Sequence, residues 1–273
     1  MNPKIKSLLF LSFVFTCLLL VAINPIKVIY PDPTDDERTY YLPASNGIHS
    51  QGISYLQTHP DTKPLSFIYI FYLLDGNIFY SRLLNYFLIG ITTYFIFKLT
   101  ESKLSILYPL IPIFLNGATL TDEIIPAMFI VMSFCYMKYN GFFIGLATIF
   151  NPFSILYGIL LNKKNFAYFI IIGELFVALL LYLGLFFPYL FWLIHYEQLN
   201  ETQPLNWFTQ LFLIIFFIIG SKDKTIMRYA FISTIPLITR PYFNWYYIVP
   251  YTILFVGYLI QEKDNRLSKD FIP

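Results

Sequence analysis

GFFIGLATIFNPFSILYGILL, residues 141–161, is apolar apart from Thr148, Ser154 and the Asn151-Pro152 pair at its centre. As one helix it would cross a bilayer. Proline removes a backbone donor and breaks a helix interior, so the run divides into 141–150 and 152–161. Each half would be about 15 Å long as α-helix, roughly half of a bilayer core. The stretch therefore reads as a pair of half-helices that return to the side they left. That choice sets the direction of every later span.

The rest of the chain fits this membrane reading. Of 273 residues, 57% are hydrophobic, 21% aromatic and only 12% charged, with a mean hydropathy of +0.62. A soluble domain carries about 25% charged residues. Repeated continuous apolar runs argue for helices, since membrane strands alternate. Candidate spans are 7–29, 78–98, 104–116, 124–138, 166–186, 206–220, 226–239 and 244–260. The first follows Lys4 and Lys6 and is too long for a cleaved leader, so it reads as a retained signal anchor. The run 64–74, flanked by Lys63 and Asp75, is too short to span. With Tyr69 and Tyr72 it reads as a helix lying in the interface. Cys17 and Cys135 sit in apolar runs and read as packing residues.

Lys and Arg orient the chain. With the N-terminus inside and the half-helix pair returning, only Lys27, Arg38, Lys63, Arg82 and Arg240 fall outside. The other 13 of the 18 basic residues fall inside. The expected organisation is one transmembrane domain over 1–273. It has a first outer loop at 30–77, a second at 116–123, an outer segment at 187–205 and a cytoplasmic tail at 261–273. The outer face then gathers Asp32, Asp35, Asp36, Glu37, Asp61, Asp75, Asp122, Glu123, Glu197 and Glu201. Acids fed to one face by two separate loops suit a cation or the abstraction of a proton. Nothing points to nucleic acid.

The sequence PDPTDDERTYY, residues 31–41, packs four of those acids into six positions. Thr34 and Glu37 have capping-box spacing, and acids in a first turn complement the helix dipole. That accounts for their position but not for their neighbours. DERTYYLPA, residues 36–44, resembles the D-E-x-x-Y-x-x-x-A pattern in the first outer loop of the GT-C polyprenyl-phosphate-sugar glycosyltransferases. Protein O-mannosyltransferases and lipid A aminoarabinose transferases belong to that superfamily. HPDTKPLSFIYIFYLLDGNIFYSRLLNYF, residues 59–87, resembles its K-P-P-L stretch, interfacial helix, glycine turn and Arg-Leu; here these are Lys63-Pro64-Leu65, Gly76 and Arg82-Leu83. NGATLTDEIIPAMFIVMSFCYMKY, residues 116–139, resembles its second outer loop. RPYFNWYYIVPYTILF, residues 240–255, resembles a late aromatic motif. The chain has one proline after Lys63 where relatives often have two.

The resemblance implies an all-α, polytopic, GT-C-like bundle with interfacial helices in its first outer loop. It implies transfer of a sugar, with mannose as the guess, from a polyprenyl- or dolichyl-phosphate donor to an acceptor hydroxyl. Such a hydroxyl needs a base as its proton leaves. Asp36 matches the superfamily's first acid, and Asp35 is the adjacent alternative. Asp35 and Glu37 as like-charged neighbours would raise its pKa. The phosphate leaving group needs positive charge, for which Arg240, beside Tyr242, has a bidentate fork; it could equally be an interfacial anchor. Lys63 matches the superfamily lysine. His59 could donate to phosphate or sugar, or simply make a turn before Pro60. Asp122 falls where relatives place a metal or substrate contact, so a divalent cation (Mg or Mn) shared with Asp36 is one option. Asn151 falls where relatives often carry a polar or basic residue near the lipid phosphate, but here without a charge.

Glu174 belongs to no such motif. A mid-span acid is costly and is usually functional or paired; Asn151 or a tyrosine hydroxyl are its candidate partners, a protonated carboxyl is the alternative, and without a motif it reads as structural. The alternative to sugar transfer is a multi-pass lipid or solute transporter, or a catalytically silent scaffold of the same shape. The expected location is a plasma membrane in a prokaryote or the endoplasmic reticulum in a eukaryote, with the site on the non-cytoplasmic face.

Overall fold

A computed structural model describes residues 38, 41–59, 65–112, 123–191, 228–229, 232 and 248–270. The described residues form helices and turns, with no strand among them. The elements are α1 (Leu42–Gln51), α2 (Ser54–Thr58), α3 (Leu65–Leu73), α4 (Ile78–Thr100), α5 (Ile124–Cys135), α6 (Asn140–Phe150), α7 (Lys163–Tyr182) and α8 (Ile248–Asp270). Three 3-10 segments, Lys103–Leu107, Met137–Tyr139 and Pro152–Leu160, lie between them.

Local chemistry sets the boundaries. The Asn77 side chain accepts from the Tyr80 N–H at 3.2 Å and starts α4. Asn162 does the same for α7, accepting from the Asn165 N–H at 3.0 Å. Each satisfies one of the donors a helix start leaves unpaired. Pro43 sits in the first turn of α1, where its missing N–H is not needed. Between α3 and α4 the chain turns through Asp75 (φ 60°) and Gly76 (φ 62°). Any side chain on Gly76 would press on Ser45 Oγ, 2.7 Å away.

Among the described residues two helices, α4 and α7, are long and apolar enough to cross a membrane alone; α5 and the segment Met137–Phe150 pass that test only together and are bent by 116°. This supports a helical membrane protein. α4 has 23 residues, roughly 34 Å of helix against a bilayer core of about 30 Å.

The half-helix expectation for 141–161 can be compared directly with the packing. Asn165 Nδ2 donates to the Met137 carbonyl at 3.1 Å, so the chain after the second half comes back beside the start of the first. A Cβ on Gly141 would overlap the Asn165 carbonyl. The first half is α-helix, as expected. The second, Pro152–Leu160, is a 3-10 helix of 9 residues instead. At about 2.0 Å per residue it covers roughly 18 Å, enough to return past α6. The expected span 104–116 likewise begins as a 3-10 turn, Lys103–Leu107.

α4 and α5 run parallel. Cys135 Sγ donates to the Phe95 carbonyl at 3.3 Å at one level, and Leu88 and Phe129 share two apolar clusters at another. Glu101 and Glu123 therefore lie at opposite ends of the bundle. A main core joins α4, α5, α6, the Pro152–Leu160 segment and α8. A second cluster seats α1, α2 and α3 on one end, against Ile125, Leu180 and Leu185. Gln57 Nε2 donates to the Leu183 carbonyl at 3.0 Å and ties α2 to the end of α7. The opposite end carries the exposed side chains of Lys98, Lys103, Lys138, Lys163 and Lys164, together with Glu101.

Candidate functional site

The end capped by α1–α3 concentrates buried polar groups. Glu123, at the start of α5, is 6% exposed, and Asn151, at the break between the half-helices, is 9% exposed. Asn151 Nδ2 donates to Glu123 Oε1 at 2.6 Å. The short distance fits a bond to a charged acceptor. It closes the V formed by α5 and α6, whose tips would otherwise bury two polar groups in an apolar cluster.

Arg82 on α4 is 2% exposed, and Ser81 and Asn85 flank it in the same buried class. The parallel register of α4 and α5 puts Arg82 at about the level of Glu123. A buried charge is tolerated only when paired and hydrogen-bonded, and this end buries both an acidic and a basic side chain. Sequence reasoning gave Glu123 less weight than Asp122, and Arg82 less than Arg240. One signal was available: Ser81, Arg82, Asn85, Tyr86 and Ile89 recur at helical spacing and form the buried face of α4.

Residues that follow the two acidic motifs come together at this end. Tyr41 and Ala44, just after the first motif, are fully buried, and they share a cluster with Ile125, just after the second. The acids Asp35, Asp36, Glu37 and Asp122, the bases Lys63 and Arg240, and Tyr242 lie outside the described residues. Among the described residues no three His, Cys, Asp or Glu side chains come together as a metal site.

His59 ends α2. Its N–H donates to the Tyr55 carbonyl at 3.0 Å, and its ring stacks on Tyr55 with centroids 4.1 Å apart. The ring Nδ1 lies 3.0 Å from Thr58 Oγ1. The residue lies on the exposed side of the cap. His49 and Asp75 pair nearby at 3.2 Å on the surface. Cys135 is a free thiol packed against the main core, as expected.

Glu174 departs from expectation. Its first candidate partner, Asn151, bonds to Glu123. Glu174 itself is exposed and lines an apolar groove of about 1030 Å³ between α6, the Pro152–Leu160 segment and α7.

Comparison with protein-family models, curated proteins and solved structures finds no match to this chain.

Proposed function

We propose that the protein is a membrane glycosyltransferase that moves a sugar from a polyprenyl- or dolichyl-phosphate donor to an acceptor hydroxyl at the membrane surface. One observation carries the reading: residues just after the two acidic motifs, Tyr41 and Ala44 on one side and Ile125 on the other, are buried in the same cluster. Such packing supports the convergence of acids from two distant loops on one rim of the bundle. Asp36 is the proposed base, with Asp35 as the alternative and Glu37 beside them. Lys63 and Arg240 are proposed to hold the donor phosphate, with Tyr242, His59 and Asn151 lining the approach. A cation bridging Asp122 and Asp36 would serve the same phosphate.

The lysine-rich opposite end supports a cytosolic placement for that end, because cytoplasmic loops carry the excess of Lys and Arg. The proposed site then faces outside or the lumen. The deciding experiment is transfer from a radiolabelled lipid-phosphate sugar by purified protein. Asp36→Asn should lower the rate by about a hundredfold or more, the range for losing a general base. Full retained transfer by both Asp36→Asn and Asp35→Asn removes this mechanism. Arg240→Ala should weaken the donor more than the acceptor.

A second reading, a transporter of lipids or solutes, draws on Glu174 in its open groove, because transporters place ionisable groups in mid-membrane cavities. Movement of substrate without bond cleavage would identify it.

A further inference from the structure

The groove on α7 has a chemistry distinct from the buried end of the bundle. Its walls come from residues such as Gly145, Pro152, Phe169, Gly173 and Tyr189, with the Glu174 carboxyl among them. Among the described residues no Lys, Arg or His lines it. Thr148, a polar neighbour, already donates its hydroxyl to the Ile144 carbonyl at 2.9 Å. Glu174 has no hydrogen bond or ion pair among the described residues. Gly173 leaves the space beside it open, with nothing within 4 Å of where a Cβ would stand. Glu174 is the twelfth of the 20 residues of α7, so it sits about halfway along a helix that is long and apolar enough to span.

A carboxyl in apolar surroundings is costly unless a partner meets it. A phosphate headgroup would find no cation here and would face the carboxylate. The complementary ligand carries an ammonium on an apolar body. We propose that this groove binds a lipophilic amine, its nitrogen on Glu174 and its chain laid along α7. The proposal does not depend on the sugar-transfer reading, which needs a phosphate rather than an amine.

The test uses full-length protein in phosphatidylcholine nanodiscs with three diazirine probes of equal chain length: an alkylamine, an alcohol and a carboxylic acid. Cross-links are mapped by mass spectrometry. The amine should label the groove about tenfold more than the alcohol, the scale of a hydrogen bond to a charged group. Glu174→Gln should bring amine labelling down to the alcohol's level and leave alcohol labelling unchanged, which also reports an intact groove. Gly173→Leu, which fills the space beside the carboxyl, should lower labelling by both the amine and the alcohol. On the wild-type protein, excess unlabelled dodecylamine should displace the amine probe and dodecanol should not. Equal labelling by amine and alcohol would mean ordinary bilayer lipid and would overturn the proposal. So would amine labelling that survives Glu174→Gln, or a groove that no probe reaches because protein covers it.

Discussion

Asn151 shows how much one contact can decide. Its amide holds Glu123 at 2.6 Å across 28 residues of sequence, and both are buried. Removing the donor leaves a buried carboxyl short of a partner, which costs more than the bond contributes. Asn151→Ala should therefore lower stability by about 1.5–3 kcal/mol, read as a lower unfolding temperature in detergent. Glu123→Gln keeps an acceptor oxygen and should cost less; equal and negligible effects would show that the pair holds nothing. The polar character of Asn151 was legible in the sequence. Its partner was not, because Glu123 is brought to it by the V of α5 and α6.

Among the elements, the paired half-helices depend on close approach. Gly141 lets α6 lie against the start of α7, where a Cβ would overlap the Asn165 carbonyl. Gly145 admits Ile172 in the same way, with 2.8 Å to its Cβ. Gly141→Ala forces a backbone shift and should cost about 1–3 kcal/mol, the range for overpacking, despite alanine's higher helix propensity. A gain in thermal stability would contradict the packing. The cap of α1–α3 is joined to α7 partly through Gln57. Gln57→Ala should cost about 0.5–1.5 kcal/mol and speed amide exchange in residues 42–58. The break at Asn151-Pro152 was readable because proline's effect is local. The 3-10 form of the second half was not: it follows from the length needed to travel back beside α6.

At the scale of the whole molecule, the exposed lysines of the described residues sit at one end. Exposed lysines gather where α4 finishes and α7 starts, while Asp75 and the buried Glu123 lie at the capped end. Single cysteines at positions 75 and 163, in a background without Cys17 and Cys135, should react with a membrane-impermeant maleimide from opposite sides. Labelling of both from one side would overturn the threading. Much of α7, including Ile171, Leu175 and Leu181, remains exposed. An apolar face of that length suits lipid better than water, in line with the helix's own composition.

The helical class, the membrane setting and the positions of the breaks were determined by sequence alone. They rest on local quantities: run length, proline, and the sign of charge beside each run. Tertiary structure alone decided that Asn151 serves Glu123 rather than Glu174, that Arg82 is buried, and that Glu174 faces an open groove. The physical reason is that a polar group in an apolar interior takes whichever partner the packing of other helices brings within 3 Å, and no local pattern encodes that neighbour.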